Sequence, residues 1–153
     1  MDIHQIFTRY KLKTDGDKIY DPIRDKYVAY TPEEKVRQQT LKFIQQRLKV
    51  PATRIGVEIS LHSLGIIGNW KRVDICIFGD HEEIVALIEC KADDLGQWES
   101  AYLQVIDYAE LLKVRNYFVV DSWAFEGYHY SDERNQYDPI DELPTYEEML
   151  LMK

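Results

Sequence analysis

Residues 83–91 read EIVALIECK, a nearly unbroken apolar run that closes on Glu89 and Lys91. A half-exposed strand alternates apolar and polar residues, so an unbroken run reads as a strand buried on both faces. A sheet built around such a strand needs cover on both sides, which points to a layered α/β domain. Within a strand, Glu89 and Lys91 share one face while Cys90 points the other way. An acid and a base side by side at the end of a buried strand form either a neutralised pair or part of a reactive site.

The flanking sequence supplies the cover. TPEEKVRQQTLKFIQQRL starts as a helix: Thr31 suits the cap, Pro32 the first helical position, and Glu34 completes a capping box. Val36, Thr40, Phe43, Ile44 and Leu48 give it an apolar stripe, and Pro51 marks its end. RIGVEISL (54–61) and RVDICIF (72–78) alternate as strands, HSLGIIGNWK reads as a loop, and GDHEE is short enough for a hairpin. A second helix is expected over about 96–113, with Trp98, Ala101, Tyr102, Val105, Tyr108, Ala109 and Leu112 on one side. NYFVVD (116–121) is a fourth strand. The expected fold is a mixed four-stranded sheet flanked by helices in the order αβββαβ, with a core of about 31–121. Residues 1–30 form an N-terminal extension with a hairpin around KIYDPIRDKYVAY. Residues 122–153 form an acidic, aromatic C-terminal extension closing on a short helix at PTYEEMLLMK. A length of 153 residues suits one domain, 1–153.

Charge decides less than it first suggests. Of the net −8, residues 121–153 contribute −7, nine acids against Arg134 and Lys153, so the rest of the chain is almost neutral. A polyanionic partner is neither supported nor excluded. No apolar run reaches membrane-spanning length and the N-terminus lacks the apolar core of a signal peptide, so a cytoplasmic location is expected, with no membrane partner. Cys76 and Cys90 both fall in expected strands and read as small hydrophobic residues in a reducing compartment.

The short GDHEE connection makes the second and third strands neighbours, so Asp74 can converge with Glu89 beside Lys91. Oxygen ligands of this kind suit Mg²⁺ or Mn²⁺, and a lysine nearby can orient a water or stabilise developing charge. Phosphodiester hydrolysis needs these parts. On spacing alone the pattern is loose in a chain that is 30% charged, and a Glu89–Lys91 ion pair explains it equally well. His4, His62, His81 and His129 show no metal-ligand spacing.

The runs YDPIRDKYVAYTPEEKVRQ, RVDI, LIECKA and QVIDY, in that order from about Tyr20 to Val120, resemble the N-terminal nuclease domain of type I restriction enzyme R subunits. That group belongs to the PD-(D/E)XK nuclease superfamily. The resemblance implies a restriction-endonuclease-like core and Mg²⁺-dependent cleavage of DNA, with Mn²⁺ as a substitute. It implies Asp74 and Glu89 as metal-binding carboxylates and Lys91 as the catalytic lysine. Gln104 and Tyr108 match a Gln-x-x-x-Tyr motif and share a helical face. The implied metal set is Asp74, Glu89 and Cys90, and Glu34 is either an additional ligand or only the capping-box residue of its helix. DNA, a motor or specificity subunit, and a second copy of the chain are the implied partners. Glu58 is either a solvated strand position or a further ligand, and Arg24, Lys71 and Arg72 either meet phosphate or balance local acids. The chain lacks the Gly-rich Lys-Ser/Thr loop of the R-subunit motor, so translocation is not expected of it alone, and VVDSWAFEG stands where relatives often show a Thr-Asn-Gly-like turn. The alternative is a non-catalytic or partner-dependent nucleic-acid-binding or regulatory module with the same fold.

Overall fold

The apolar run becomes an inner strand of a six-stranded sheet. The computed structural model describes residues 1–92 and 97–153. The chain opens with α1 (Ile3–Thr8) and the strands β1 (Thr14–Asp15), β2 (Lys18–Asp21) and β3 (Lys26–Ala29), followed by α2 (Pro32–Gln46). After one 3-10 turn (Ala52–Arg54) come β4 (Ile55–Ser60), β5 (Arg72–Phe78) and β6 (Ile84–Cys90). Then follow α3 (Gln97–Leu112), β7 (Asn116–Val120), β8 (Phe125–Ser131), β9 (Gln136–Pro139) and α4 (Tyr146–Leu151).

The large sheet has the order β4-β5-β6-β7-β8-β9, and β1-β2-β3 form a separate three-stranded sheet. Within the large sheet only β6 and β7 pair in parallel. A parallel pair needs a crossover, and α3 supplies it. The mixed α/β class expected from sequence is present, but the sheet has six strands rather than four. Residues 125–139 are not an appendage: β8 pairs along β7 and β9 along β8. FEGYHYS alternates only loosely in polarity, which hid it as a strand. The hairpin expected in the N-terminal extension is β2–β3.

Two apolar layers enclose the sheet. On one side Phe43 and Ile44 of α2, Phe7 of α1 and Met149 of α4 pack with Ile75, Ile77, Ile88 and Phe118. On the other, Ala101, Val105, Tyr108 and Ala109 of α3 pack with Cys76, Leu87, Tyr117 and Val119. Along β6, Ile84 and Leu87 meet the α3-side layer while Val85, Ala86, Ile88 and Cys90 meet the other, so both faces are covered and the sequence does not alternate. The start expected for the second helix at residue 96 lies outside the described residues. Among the described residues no helix is long and apolar enough to cross a membrane.

Candidate active site

The site forms where the β5–β6 ladder ends. Its pairing begins at Ile75↔Ile88, and one further step of that antiparallel register sets Asp74 opposite Glu89. Instead of continuing the ladder, Asp74 Oδ2 accepts the Cys90 backbone N–H at 2.7 Å. Its other oxygen accepts from Arg37 Nη2 at 2.8 Å. Both partners are needed, because Asp74 is buried and an unpaired carboxylate there would be costly.

Helix α2 brings the remaining charges. Thr31 caps it by accepting the Glu34 N–H at 3.0 Å, which fixes the first turn and its two acids, Glu33 and Glu34. The expected capping box is only half made, because the Glu34 carboxylate is used elsewhere. Its Oε1 accepts from Arg37 Nη1 at 2.6 Å and Arg24 Nη2 at 2.8 Å, and its Oε2 from Gln38 at 3.2 Å. Glu33, one residue earlier, takes the position toward the sheet. Oxygens of Glu33, Asp74 and Glu89 lie within 4.8 Å of one another, the group that the described residues offer to a metal ion. Lys91 Nζ stands 3.8 Å from Glu89 Oε1, and the Lys91 backbone N–H is tied to the Val120 carbonyl at 2.9 Å.

The electrostatics are those of crowded, desolvated acids. Burial, then the Asp74 carboxylate, pushes the Glu89 pKa far up, and Lys91 offsets only part of this. Burial and Asp74 also raise Glu33, opposed by Lys91 and Arg37. Glu89 Oε2 is buried and has no hydrogen-bond partner among the described residues. Arg37 is the internal counter-charge: besides Asp74 and Glu34 it holds Glu58 Oε1 at 2.9 Å. Glu58 follows the β4–β5 register opposite Asp74 with φ at 56°, a left-handed conformation uncommon outside glycine.

Asp74, Glu89 and Lys91 therefore meet, as the sequence suggested. Glu34 does not join them; it bridges Arg24 and Arg37. The Cys90 thiol lies in the α2-side layer, 3.9 Å from the Thr40 hydroxyl, with its pKa pushed well up by burial and then by Asp74. A thiol so placed is no ligand, and what Cys90 gives the site is its N–H. Gln104 donates to the Tyr108 hydroxyl at 2.7 Å on α3, which packs on the face toward which Leu87, and hence Glu89, points. Burial raises the Tyr108 pKa, and the Glu89 and Asp74 charges add to the effect. Arg24 balances Asp21 and Glu34, and Arg72 reaches Glu58 at 3.5 Å. Glu33 and Arg37 were missed in the sequence. Their spacing of four on the first turns of a capped helix was the available signal.

The residues fit a hard divalent cation. Three carboxylates offer oxygen atoms, and the buried Glu89 oxygen that has no partner among the described residues is what a cation in that gap would satisfy. Fold and site together define a mixed α/β domain with a candidate divalent-cation centre at the end of its central strands. The chain belongs to the family described as the type I restriction enzyme R protein N terminus, whose sequence pattern matches residues 32–144. That span includes every residue of the acid cluster together with Lys91, Gln104 and Tyr108. No curated protein and no solved structure matches the chain.

Proposed function

We propose that this chain is a metal-dependent endonuclease that hydrolyses DNA phosphodiester bonds with a PD-(D/E)XK-type site. The observation that carries the reading is the convergence of Glu33, Asp74 and Glu89 on one small volume, with Lys91 beside Glu89. Glu33, Asp74 and Glu89 would hold Mg²⁺ or Mn²⁺. A bound ion of this kind polarises the phosphodiester and offsets the negative charge that grows on it.

The protein's own groups do the rest. Asp74 is held at both oxygens, by Arg37 and the Cys90 N–H, so its geometry is set before any ligand arrives. Glu89 gives up its proton when it becomes a ligand. Lys91 donates a hydrogen bond to the attacking water or to a phosphate oxygen and stabilises the charge that develops there. Water adds to phosphorus, the P–O ester bond breaks, and a phosphate monoester and a free hydroxyl result. Gln104 and Tyr108 act as a hydrogen-bonded unit on α3 toward the substrate strand. The family describes an R-protein terminus, so a motor or specificity subunit is the expected source of targeting.

The test is cleavage of supercoiled, linear and single-stranded DNA with Mg²⁺ or Mn²⁺ by wild type, Lys91→Ala and Glu89→Gln. Cutting by wild type that is lost in both folded variants and in chelator is expected. Cutting indifferent to Lys91 and Glu89, or no divalent ion bound in a titration of wild type, would remove the reading.

A further inference from the structure

The β4–β5 connection departs from the charge of the rest of the chain. Residues 61–72, LHSLGIIGNWKR, contain no acid in a protein that carries 27, and end on Lys71 and Arg72. Two large apolar side chains stand out from it, Ile67 at 80% exposure and Trp70 at 66%. Neither is on a loose tip. His62 N–H donates to the Asn69 carbonyl at 2.6 Å, Leu61 N–H to Lys71 at 2.8 Å, and Lys71 N–H to the Asn69 side chain at 3.1 Å. Gly65 and Gly68 take the left-handed turns that this folding-back requires, at φ 109° and 85°. The Gly68 N–H in turn donates to His62 Nδ1 at 3.0 Å, which sets the imidazole ring. That ring stacks on one face of the Trp70 indole at 4.0 Å and 20°, and the large remaining exposure leaves the other face open.

Beside this indole lies a cavity of about 380 Å³ lined by Glu58, Ile59, Ser60, Ser63, Trp70 and Arg72. Glu58 is the link to the acid cluster, because Arg37 Nη2 is shared between Glu58 at 2.9 Å and Asp74 at 2.8 Å. A rigid aromatic face, a cation and a recess of mixed polar and apolar lining thus stand one guanidinium away from the candidate cleavage site. A base stacked on a pre-set aromatic loses little further freedom on binding, and every base has a π-face to offer.

From this we infer that Trp70 is a stacking platform for one unpaired base of a DNA strand, seated in the recess, with Lys71 and Arg72 contacting the adjoining phosphates. The inference deepens the nuclease reading by naming its substrate form: a strand with an unstacked nucleotide next to the cut. Intact duplex, whose bases are stacked on one another, gains less from the platform.

The experiment measures binding of a fluorescently labelled short oligothymidylate and of a duplex of equal length by the full chain in chelator, where no cleavage occurs. Wild type is compared with Trp70→Ala, Trp70→Phe and the Lys71→Ala/Arg72→Ala double variant, each checked for folding by circular dichroism. Trp70→Ala is expected to weaken the single strand about tenfold, with Trp70→Phe keeping most of the affinity and the duplex affected less. The double variant is expected to flatten the salt dependence. Unchanged single-strand affinity in Trp70→Ala, equal losses in Trp70→Ala and Trp70→Phe, a duplex loss as large as the single-strand loss, or no binding by wild type would each overturn the inference. Binding through Trp70 by a protein that never cuts with Mg²⁺ removes only the nuclease reading. Cleavage with unchanged binding in Trp70→Ala removes only the platform.

Discussion

Asp74 accepts the backbone N–H of Cys90 at 2.7 Å, a side chain taking up a main-chain donor just where pairing between their strands has stopped. The two strands can separate at that point without orphaning a buried donor, and the gap is where the acids converge. Asp74 thus has a structural role besides its place in the acid cluster, while Glu89, whose Oε2 has no hydrogen-bond partner among the described residues, is not anchored in the same way.

The contrast predicts unequal stability effects from two substitutions that, on the proposed function, should both abolish cleavage. Asp74→Ala leaves the Cys90 N–H unpaired and strips Arg37 of one of its carboxylates, at a cost of about 3 kcal/mol. Glu89→Gln replaces a desolvated carboxyl, already driven toward its neutral form, by a neutral amide of the same shape. Its stability without metal stays within about 1 kcal/mol of wild type. Urea unfolding in chelator, paired with the cleavage assay, checks both.

On the proposed function, protons and a metal ion compete for Glu89. Its folded pKa is raised above the unfolded value, by burial and then by Asp74. The sign follows: the neutral form is favoured in the fold, so this contribution to stability is full below the unfolded pKa and is lost as pH rises through the folded one. The metal-free protein should therefore lose Tm from this group on going from mildly acidic to alkaline buffer. A divalent ion requires the carboxylate, so the Tm gain produced by Mn²⁺ should grow over the same range. Glu89→Gln should flatten both trends in a thermal-shift series across pH.

Glu33 and Glu34 are neighbours in sequence with different work. Glu34 is buried between Arg24 and Arg37, so Glu34→Ala leaves two cations under-compensated and should cost about 3 kcal/mol. Glu33 is half-buried and faces Asp74 and Glu89, so Glu33→Gln should change stability by less than about 1 kcal/mol. Its effect should fall on the ion, weakening Mn²⁺ binding about tenfold as a lost ligand does. Calorimetric titration of the two variants, read beside their urea midpoints, separates the roles.

That pair also shows what the sequence made legible. Periodicity and capping placed α2, and strand alternation placed Asp74, Glu89 and Lys91 at the ends of adjacent strands. Which of two consecutive glutamates faces the sheet depends on a rotation of about 100° per residue and on where Arg24 and Arg37 reach. Local sequence carries no signal for the second. The capping-box pattern pointed to Glu34, whose carboxylate is instead drawn away by two arginines. For Arg37 the local spacing to Glu33 was the one hint, and its partners Glu58 and Asp74 are distant in sequence and meet it only through the sheet. The strands β8 and β9 were missed because polar, tyrosine-rich sequence at a sheet's margin looks like a loop.

The C-terminal residues carry the last prediction. Residues 122–153 read as an acidic, aromatic C-terminal extension, yet they supply β8, β9 and α4. All five residues of β7 are buried, and β8 pairs along its open side. Tyr117 of β7 stacks on Tyr128 of β8 at 4.9 Å. Met149 is fully buried in the layer shared with α2, and the Tyr146 hydroxyl donates to the Phe78 carbonyl at 2.8 Å, tying α4 to the end of β5. A chain ending at residue 121 would expose the β7 edge and open one apolar layer, and an uncovered hydrophobic edge invites aggregation. It should fail to fold and should be recovered, if at all, as aggregate. The finer probe is Met149→Ala, which removes buried volume far from the acids and should cost about 2–5 kcal/mol. If α4 is an integral part of the core, that variant shifts the urea midpoint while its Mn²⁺ affinity, measured on the folded fraction, stays that of wild type. An unshifted midpoint would mean that α4 packs on a core complete without it.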